Sequence, residues 1–427
     1  MTTTTDLRIP ENLINCIHGR KVFIWGARHE GYAAKLTLSR NGITAAGYLD
    51  SSPALAGTQA FGLTIISPKE FFSQQTPQEA FIVIASGFFA DEIADSCIAE
   101  GWVKNQDFTV YGELRRFNYQ VDVAGLCNLR CISCPRGNWP RHRKPGFMSV
   151  AVYEKLVDKI LREDPWTGII TLYNWGEPLL NRELPDIINV TRKKGLLSAV
   201  SSNLAMKMDF RPVIEAGPNW FRISNSGWGE NYEATHTGGK WDLFYANCLK
   251  LAEYRTRYHP EMIIEFFFHI YDHNRNDFHR IQSFCKELDF VLRYRHAALA
   301  PLDNIERVVD RQPLTEAAAR TRELQFLDVD EVMDIARSER QRPCFYMDHL
   351  WIDWDLSIAH CMEWYDPSLK LMDKNFLEVS LDEIDATRRE SEHCRMCMEK
   401  GIHRAYCVYG DEKLIAVKSS IPVQKEE

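Results

Sequence analysis

Apolar residues recur along this chain in short runs, each closed by a glycine or polar turn and followed by a stretch at helical spacing, which predicts an α/β protein. Lys21-Val22-Phe23-Ile24-Trp25 reads as a strand, and Gly26-Ala27-Arg28-His29-Glu30-Gly31 as a turn entering a helix that runs through Leu38. A second strand ends in Gly47-Tyr48-Leu49-Asp50. Strands over 80–85 and 107–111, with a helix over 90–100 between them, continue the alternation. A glycine turn opening a helix, with an acidic residue closing the next strand, is the order of a Rossmann-type unit. Gly26, Gly31 and Asp50 are its candidate cofactor contacts. Arg28 takes the middle glycine's place, where a pyrophosphate would approach the backbone, and this disfavours dinucleotide binding.

The alternation resumes at 119–123 and leads into Cys127-Asn128-Leu129-Arg130-Cys131-Ile132-Ser133-Cys134, with no fourth cysteine before Cys248. Three thiolates on one loop suit three corners of an iron-sulfur cluster and leave one iron open. A zinc knuckle completed by a distant residue such as His142, or a set of redox thiols, is the competing reading. Further strands are expected at Ile169-Ile170-Thr171-Leu172-Tyr173, Ala199-Val200-Ser201-Ser202-Asn203, Phe221-Arg222-Ile223-Ser224-Asn225 and 262–270. Helices are expected over 240–258 and 277–288, burying Cys248 and Cys285 as small apolar residues.

CNLRCISCP after a strand resembles the signature of the radical S-adenosylmethionine enzymes, and the likeness continues along the chain. Asn174-Trp175-Gly176-Glu177-Pro178 resembles the turn after the second barrel strand that holds the cofactor's amino group, with Trp175 replacing a glycine. Ser202-Asn203 and Ser224 resemble the polar ends of the fourth and fifth strands, which meet the ribose and the methionine carboxylate, with 262–270 as the sixth. The resemblance thus implies Gly176, Glu177, Pro178, Ser202, Asn203 and Ser224 as cofactor contacts, and a four-iron cluster on Cys127, Cys131 and Cys134. Ser133 departs from the bulky residue that packs near the adenine in that family.

A second cysteine group, Cys344, Cys361, Cys394 and Cys397, can supply four thiolates. By spacing alone, structural zinc fits equally well. The pattern resembles a shortened auxiliary-cluster (SPASM/twitch-like) domain, which implies a second four-iron cluster, with Cys407 spare. His393 and His403 read as surface residues beside it. Asp353 and Asp355, on the hairpin-like segment 350–358, are candidate catalytic residues, although charged hairpin residues are usually only solvated.

Composition narrows the class. At 427 residues and 45% hydrophobic content, two or three domains are expected. The organisation predicted is a Rossmann-like domain over 1–115, a partial (β/α)6 barrel over 116–310, a helical connector over 311–340 and the auxiliary domain over 341–427. A net charge of −8 argues against a nucleic-acid partner. The apolar run at 262–268 is too short for a bilayer, and the start of the chain shows no signal peptide. Twelve cysteines then point to metal binding in a reducing, cytoplasmic setting.

The first domain resembles those attached to enzymes of nucleotide-sugar and surface-polysaccharide metabolism. The leading expectation is therefore hydrogen abstraction from a carbohydrate or nucleotide-sugar, giving dehydrogenation or epimerisation, with a flavodoxin- or ferredoxin-type reductant. The alternatives are a peptide- or protein-modifying radical enzyme and, remotely, a non-catalytic iron-sulfur or zinc protein.

Overall fold

A computed structural model describes residues 11–87, 89–139 and 143–419 of the chain. His142 and the segment 1–6 lie outside the described residues. The chain divides into two compact units. One comprises Met1–Asn118, Val157–Ile170 and Thr191–Leu197, and the other Tyr119–Leu156, Thr171–Val190 and Ser198–Glu427.

The first unit holds a six-stranded sheet of β1 (Lys21–Trp25), β2 (Ala45–Leu49), β3 (Gln59–Ala60), β4 (Leu63–Ile66), β5 (Ala80–Ile84) and β6 (Phe108–Val110). Its order is β3-β4-β2-β1-β5-β6. The strands from β4 to β6 pair parallel, and only β3 runs antiparallel. In such a sheet the order reverses between β1 and β5, the usual place for a ligand crevice. Both faces are covered, which explains the unbroken apolar runs. Val22, Ile24, Phe81 and Val83 pack on one side with Ala33, Ala34 and Leu38 of the helix His29–Arg40. Phe23, Trp25, Ile82 and Ile84 pack on the other with Phe71 and Cys97.

The second sheet contains β7 (Asn118–Val121), β8 (Ile169–Thr171), β9 (Leu197–Ser202), β10 (Trp220–Asn225), β11 (Ile263–Ile270), β12 (Val291–His296) and β13 (His349–Ile352). Its order is β12-β11-β10-β9-β8-β7-β13. β9 through β12 pair parallel. Counted from β7, the Ser202-Asn203 strand is third rather than fourth, Ser224 is on the fourth, and β11 is fifth rather than sixth. The sixth is β12, whose sequence Val-Leu-Arg-Tyr-Arg-His hides it, because its two arginines break the apolar run that a buried parallel strand normally shows.

Burial alternates along β10 and β11. Phe221, Ile223, Ile264, Phe266 and Phe268 are buried. Phe266 meets Phe244 of the helix Trp241–Tyr258 and Phe284 of the helix Phe278–Glu287. Cys248 and Cys285 are buried in these helices, as expected. The opposite face carries Arg222, Ser224, Glu265, Phe267 and His269, all half-buried.

The stretch 311–340 is more than a connector. Its helices, Glu316–Leu324 and Val329–Ser338, bury Ala318, Val329, Val332, Met333 and Ala336 in one core with Trp364, Cys397, Ile402 and Tyr409. Alanine-rich, charged helices read as solvated, but the spacing of Val329, Val332, Met333 and Ala336 places one apolar stripe against that core.

Candidate metal and cofactor site

The loop that follows β7 is pinned on both sides. Arg130 N donates to Thr237 O (2.9 Å), Ile132 N to Thr235 O (3.2 Å) and Cys134 N to Cys131 O (3.0 Å). Asn138 donates to the carbonyls of Cys131 and Cys134. Cys127, Cys131 and Cys134 are half-exposed. Burial, chiefly, pushes the Cys127 thiol up to about 12, with Glu177 and Cys134 adding to the effect. Cys131 is pushed well above the ordinary thiol range by burial, then by Cys134 and Cys127. Burial also raises Cys134. Three thiols held together this way stay protonated until a metal supplies the positive charge that stabilises thiolate. The donor set therefore fits an iron-sulfur group.

Glu177, Asn203 and Ser202 are joined by hydrogen bonds beside Cys127. Glu177 is buried and accepts from Leu179 N (3.1 Å) and Asn203 N (2.8 Å). Burial raises its carboxyl to about 7. Asn203 Nδ2 donates to Asn128 Oδ1 (3.0 Å) and lies 3.6 Å from Cys127 Sγ. Ser202 Oγ accepts from Leu204 N (3.0 Å), and Pro178 opens a buried 3-10 turn. Gly176 is required by a neighbour in the chain itself: a Cβ there would lie 1.6 Å from the carbonyl oxygen of Ala124. Gly176 N and Trp175 N both donate to Asp122 Oδ2 at 3.2 Å, tying the turn to the end of β7. Ser224 sits on the half-buried face of β10, in register with Phe267. The small Ser133 is met by an aromatic from elsewhere, since Tyr271 donates to Ser133 Oγ (3.0 Å).

The second cysteine group also converges. Cys344, Cys361, Cys394 and Cys397 line one cavity of about 30 Å³ with Leu302, Trp364 and three histidines, His360, His393 and His403. Burial raises all four thiols, Cys361 to about 12. The expectation that His393 and His403 lie on the surface is overturned. His403 is buried and donates from Nε2 to Arg342 O (3.0 Å), and His393 stands edge-on to Trp364 at 4.1 Å. Burial holds His360 and His393 down at about 4, so both are neutral. Cys407 lies close enough to Cys344 to raise it but does not line the cavity. Among the described residues no three His, Cys, Asp or Glu side chains form a ready cage for a single ion.

No protein-family model matches the chain. Putative protein YfkA of Bacillus subtilis (strain 168) is 22% identical over 138 residues, 29% of this chain and 35% of the relative's length. Among solved structures, BtrN in complex with AdoMet and 2-DOIA covers 68% of this chain and 90% of its own at 15% identity, TM-score 0.41. Native anSMEcpe with bound AdoMet covers 71% of this chain and 100% of its own at 16% identity, TM-score 0.43. Streptococcus suis SuiB bound to S-adenosylmethionine covers 74% of this chain and 83% of its own at 11% identity, TM-score 0.44. Likenesses this distant leave the chemistry to be read from the chain's own side chains.

Asp353 and Asp355 part company. Asp353 is buried, 3.6 Å from Arg143, and accepts from Trp354 N. Asp355 is exposed and accepts from Ser357 N within its own turn. In the first unit, Asp50 accepts from Ala27 N (3.2 Å) and Ser52 N (2.9 Å), and Glu30 accepts from Gly87 N (2.5 Å). Carboxylates thus occupy amides beside the glycine turn. Gly26 and Gly31 are fixed by packing, since a Cβ would lie 2.4 Å from Ala85 O at the first and 1.8 Å from Gly26 O at the second.

Two features escaped sequence reasoning. Tyr271 lies just past β11, and nothing local marks it as a neighbour of Ser133. Glu363 is pushed up to about 7 by burial, against the pull of Arg295, a hydrogen bond from Tyr346, and Arg222. Its place two residues after Cys361 was the available signal.

Proposed function

We propose that this protein is a radical S-adenosylmethionine enzyme that abstracts a hydrogen atom from a carbohydrate or nucleotide-sugar, with dehydrogenation or epimerisation as the outcome. One observation carries the reading: Asn203 Nδ2 lies 3.6 Å from Cys127 Sγ while its backbone amide donates to the buried Glu177, which Ser202 also hydrogen-bonds. In this reading Cys127, Cys131 and Cys134 would hold one four-iron cluster, and Cys344, Cys361, Cys394 and Cys397 would hold a second. The chemistry a cluster at the first site would supply is one-electron reductive cleavage of S-adenosylmethionine.

This chain's residues do the positioning. Glu177, buried and held by two backbone amides, ties the turn after β8 to the end of β9 and would offer its carboxyl to the cofactor's amino group. Asn203 fixes Asn128 and with it the first turn of the cysteine loop. Ser202, Ser224, Gly176 and Pro178 would be further contacts for the cofactor. We assign the amino-terminal sheet a structural role, because Asp50 and Glu30 hold amides that a phosphate would need. The cytoplasm is the fitting compartment, with a flavodoxin- or ferredoxin-type protein as electron source.

The test is anaerobic reconstitution with a chemical reductant and ring-deuterated nucleotide-sugars. Deuterium appearing in 5′-deoxyadenosine is the expected result. If reconstituted, reduced protein forms no 5′-deoxyadenosine at all, the radical reading is wrong. If label arrives only from a peptide, the substrate assignment is wrong.

A further inference from the structure

The half-buried face of β10, β11 and β12 carries a set of polar groups beside Ser224. Parallel register places Arg222 beside Glu265, Ser224 beside Phe267, and His269 beside Arg295. Residues so paired point the same way, so these form adjoining rows on one face. Arg222 Nε lies 3.3 Å from Glu265 Oε1, and its guanidinium stacks 3.5 Å above the Phe267 ring. Arg295 donates to Tyr406 O (3.0 Å). Glu363, from the carboxyl-terminal segment, accepts from Tyr346, and the charges of Arg295 and Arg222 both act on it.

Arg222 therefore already faces a carboxyl group, and Arg295 a backbone carbonyl. An incoming phosphate or carboxylate would also stand beside the acidic side chain of Glu265. The hydrogen-bonding capacity that remains is mixed. Arg222 bonds to Tyr173 through its side chain, and its Nε, 3.3 Å from Glu265 Oε1, is buried without a hydrogen bond of its own. His269 Nδ1 lies 3.3 Å from Asn225 O; a carbonyl can only accept, so Nδ1 carries the proton and Nε2 is left as an acceptor. Burial, then Arg222 and Arg295, hold that imidazole neutral at about 3. The carboxyl oxygens of Glu265 and Glu363 are further acceptors.

A ligand that serves this face must donate to carboxylate and imidazole and accept from guanidinium, within a width of two strand spacings of about 4.8 Å each. Hydroxyl groups on one small ring do this, because every hydroxyl both donates and accepts. We propose that the face formed by Arg222, Glu265, His269, Arg295 and Glu363 binds an uncharged, hydroxyl-bearing sugar ring, any charged part of the substrate lying outside it. This rests on the function proposed above for its chemistry, but the binding it describes stands by itself.

The test is a binding titration of the full-length, anaerobically reconstituted protein with S-adenosylmethionine present. The probes are UDP-glucose, UDP-galactose, UDP-N-acetylglucosamine, UDP-glucuronate and a serine- and cysteine-containing peptide pool, followed by saturation-transfer NMR. At least one neutral sugar is expected to bind with transfer to its ring protons, and UDP-glucuronate to bind at least tenfold more weakly than UDP-glucose. Glu265→Gln is expected to weaken the best ligand tenfold or more. His269→Phe, which keeps a ring and removes Nε2, provides a second reading should the first variant melt early, with a loss of threefold or more. Tightest binding by UDP-glucuronate or by peptide, transfer confined to the uridine, or no binding by any neutral sugar would each overturn the assignment. Sugar binding in a protein that makes no 5′-deoxyadenosine would leave this site standing and remove the radical reading instead.

Discussion

The loop of Cys127, Cys131 and Cys134 and the cavity of Cys344, Cys361, Cys394 and Cys397 hold thiols of one kind in unlike surroundings. Around the loop the neighbours are polar and directed: Asn203 against Cys127, Glu177 behind Asn203, and Tyr271 bonded to Ser133. Around the cavity they are apolar or neutral, with Leu302, Trp364, Met398 and uncharged histidines, and Cys397 belongs to a hydrophobic core. On the proposed reading, three thiols among polar groups would leave a metal position for something other than protein, and four thiols in an apolar cavity would supply every ligand themselves. The contrast would then be between a site that takes a cofactor and one that holds a metal group closed.

Replacing each set in turn breaks that contrast most directly. Cys127/Cys131/Cys134→Ala is expected to abolish 5′-deoxyadenosine formation and to lower iron from about eight to about four per chain. Cys344/Cys361/Cys394/Cys397→Ala is expected to lose a similar amount of iron yet still cleave S-adenosylmethionine. Iron and sulfide counting with product chromatography reads both, and zinc in the second site would show that it takes a single ion. The next largest effect is expected at the turn. Gly176→Ala forces a Cβ to within 1.6 Å of the Ala124 carbonyl, so the turn must leave β7. A loss of about 3 kcal/mol or more is expected in denaturant unfolding of the metal-free protein. Glu177→Gln sharpens the polar side of the contrast. An amide cannot accept from both Leu179 N and Asn203 N as the carboxyl does, so one buried donor is left unmet at a cost of about 1–3 kcal/mol. S-adenosylmethionine binding to the reconstituted variant, measured by calorimetry, is expected to weaken with it.

Much of this was legible in the sequence because it depends on local spacing. CxxxCxxC on a loop after a strand, a Gly-Glu-Pro turn after the next strand, and Ser-Asn after the one beyond are short patterns, and the sheet brings their ends together whatever else the chain does. What stayed hidden depends on distant residues. β12 is disguised by Arg293 and Arg295, because its half-buried face is polar. Tyr271 meets Ser133 from 138 positions away. The histidines of the second site resemble surface residues until the core of Val332, Met333, Ile402 and Tyr409 closes beneath the cysteine helix. In the amino-terminal sheet the glycine turn and Asp50 were readable as a pattern, but that Asp50 would turn back onto Ala27 N was not.

A pH-dependent effect concerns how the second cysteine group is anchored. Asp303 is buried and accepts from Tyr365 N (2.9 Å) and Asp366 N (3.2 Å), just past Cys361 and Glu363. Burial is the largest influence on it and lifts its carboxyl from an ordinary 3.8 to about 6, partly opposed by those amide bonds. A carboxyl raised in the folded state binds its proton more tightly there than in the unfolded chain. Its contribution to stability is thus full below about pH 3.8 and is lost as pH rises through about 6. Asp303→Asn removes the titration. The stability of the metal-free wild type relative to this variant is then expected to fall by up to about 3 kcal/mol between pH 4 and pH 7, by urea unfolding at each pH. An equal pH dependence in the two proteins would mean that the charge on Asp303 is solvated, and that the Tyr365–Asp366 anchor is looser than the polar clasp at Glu177.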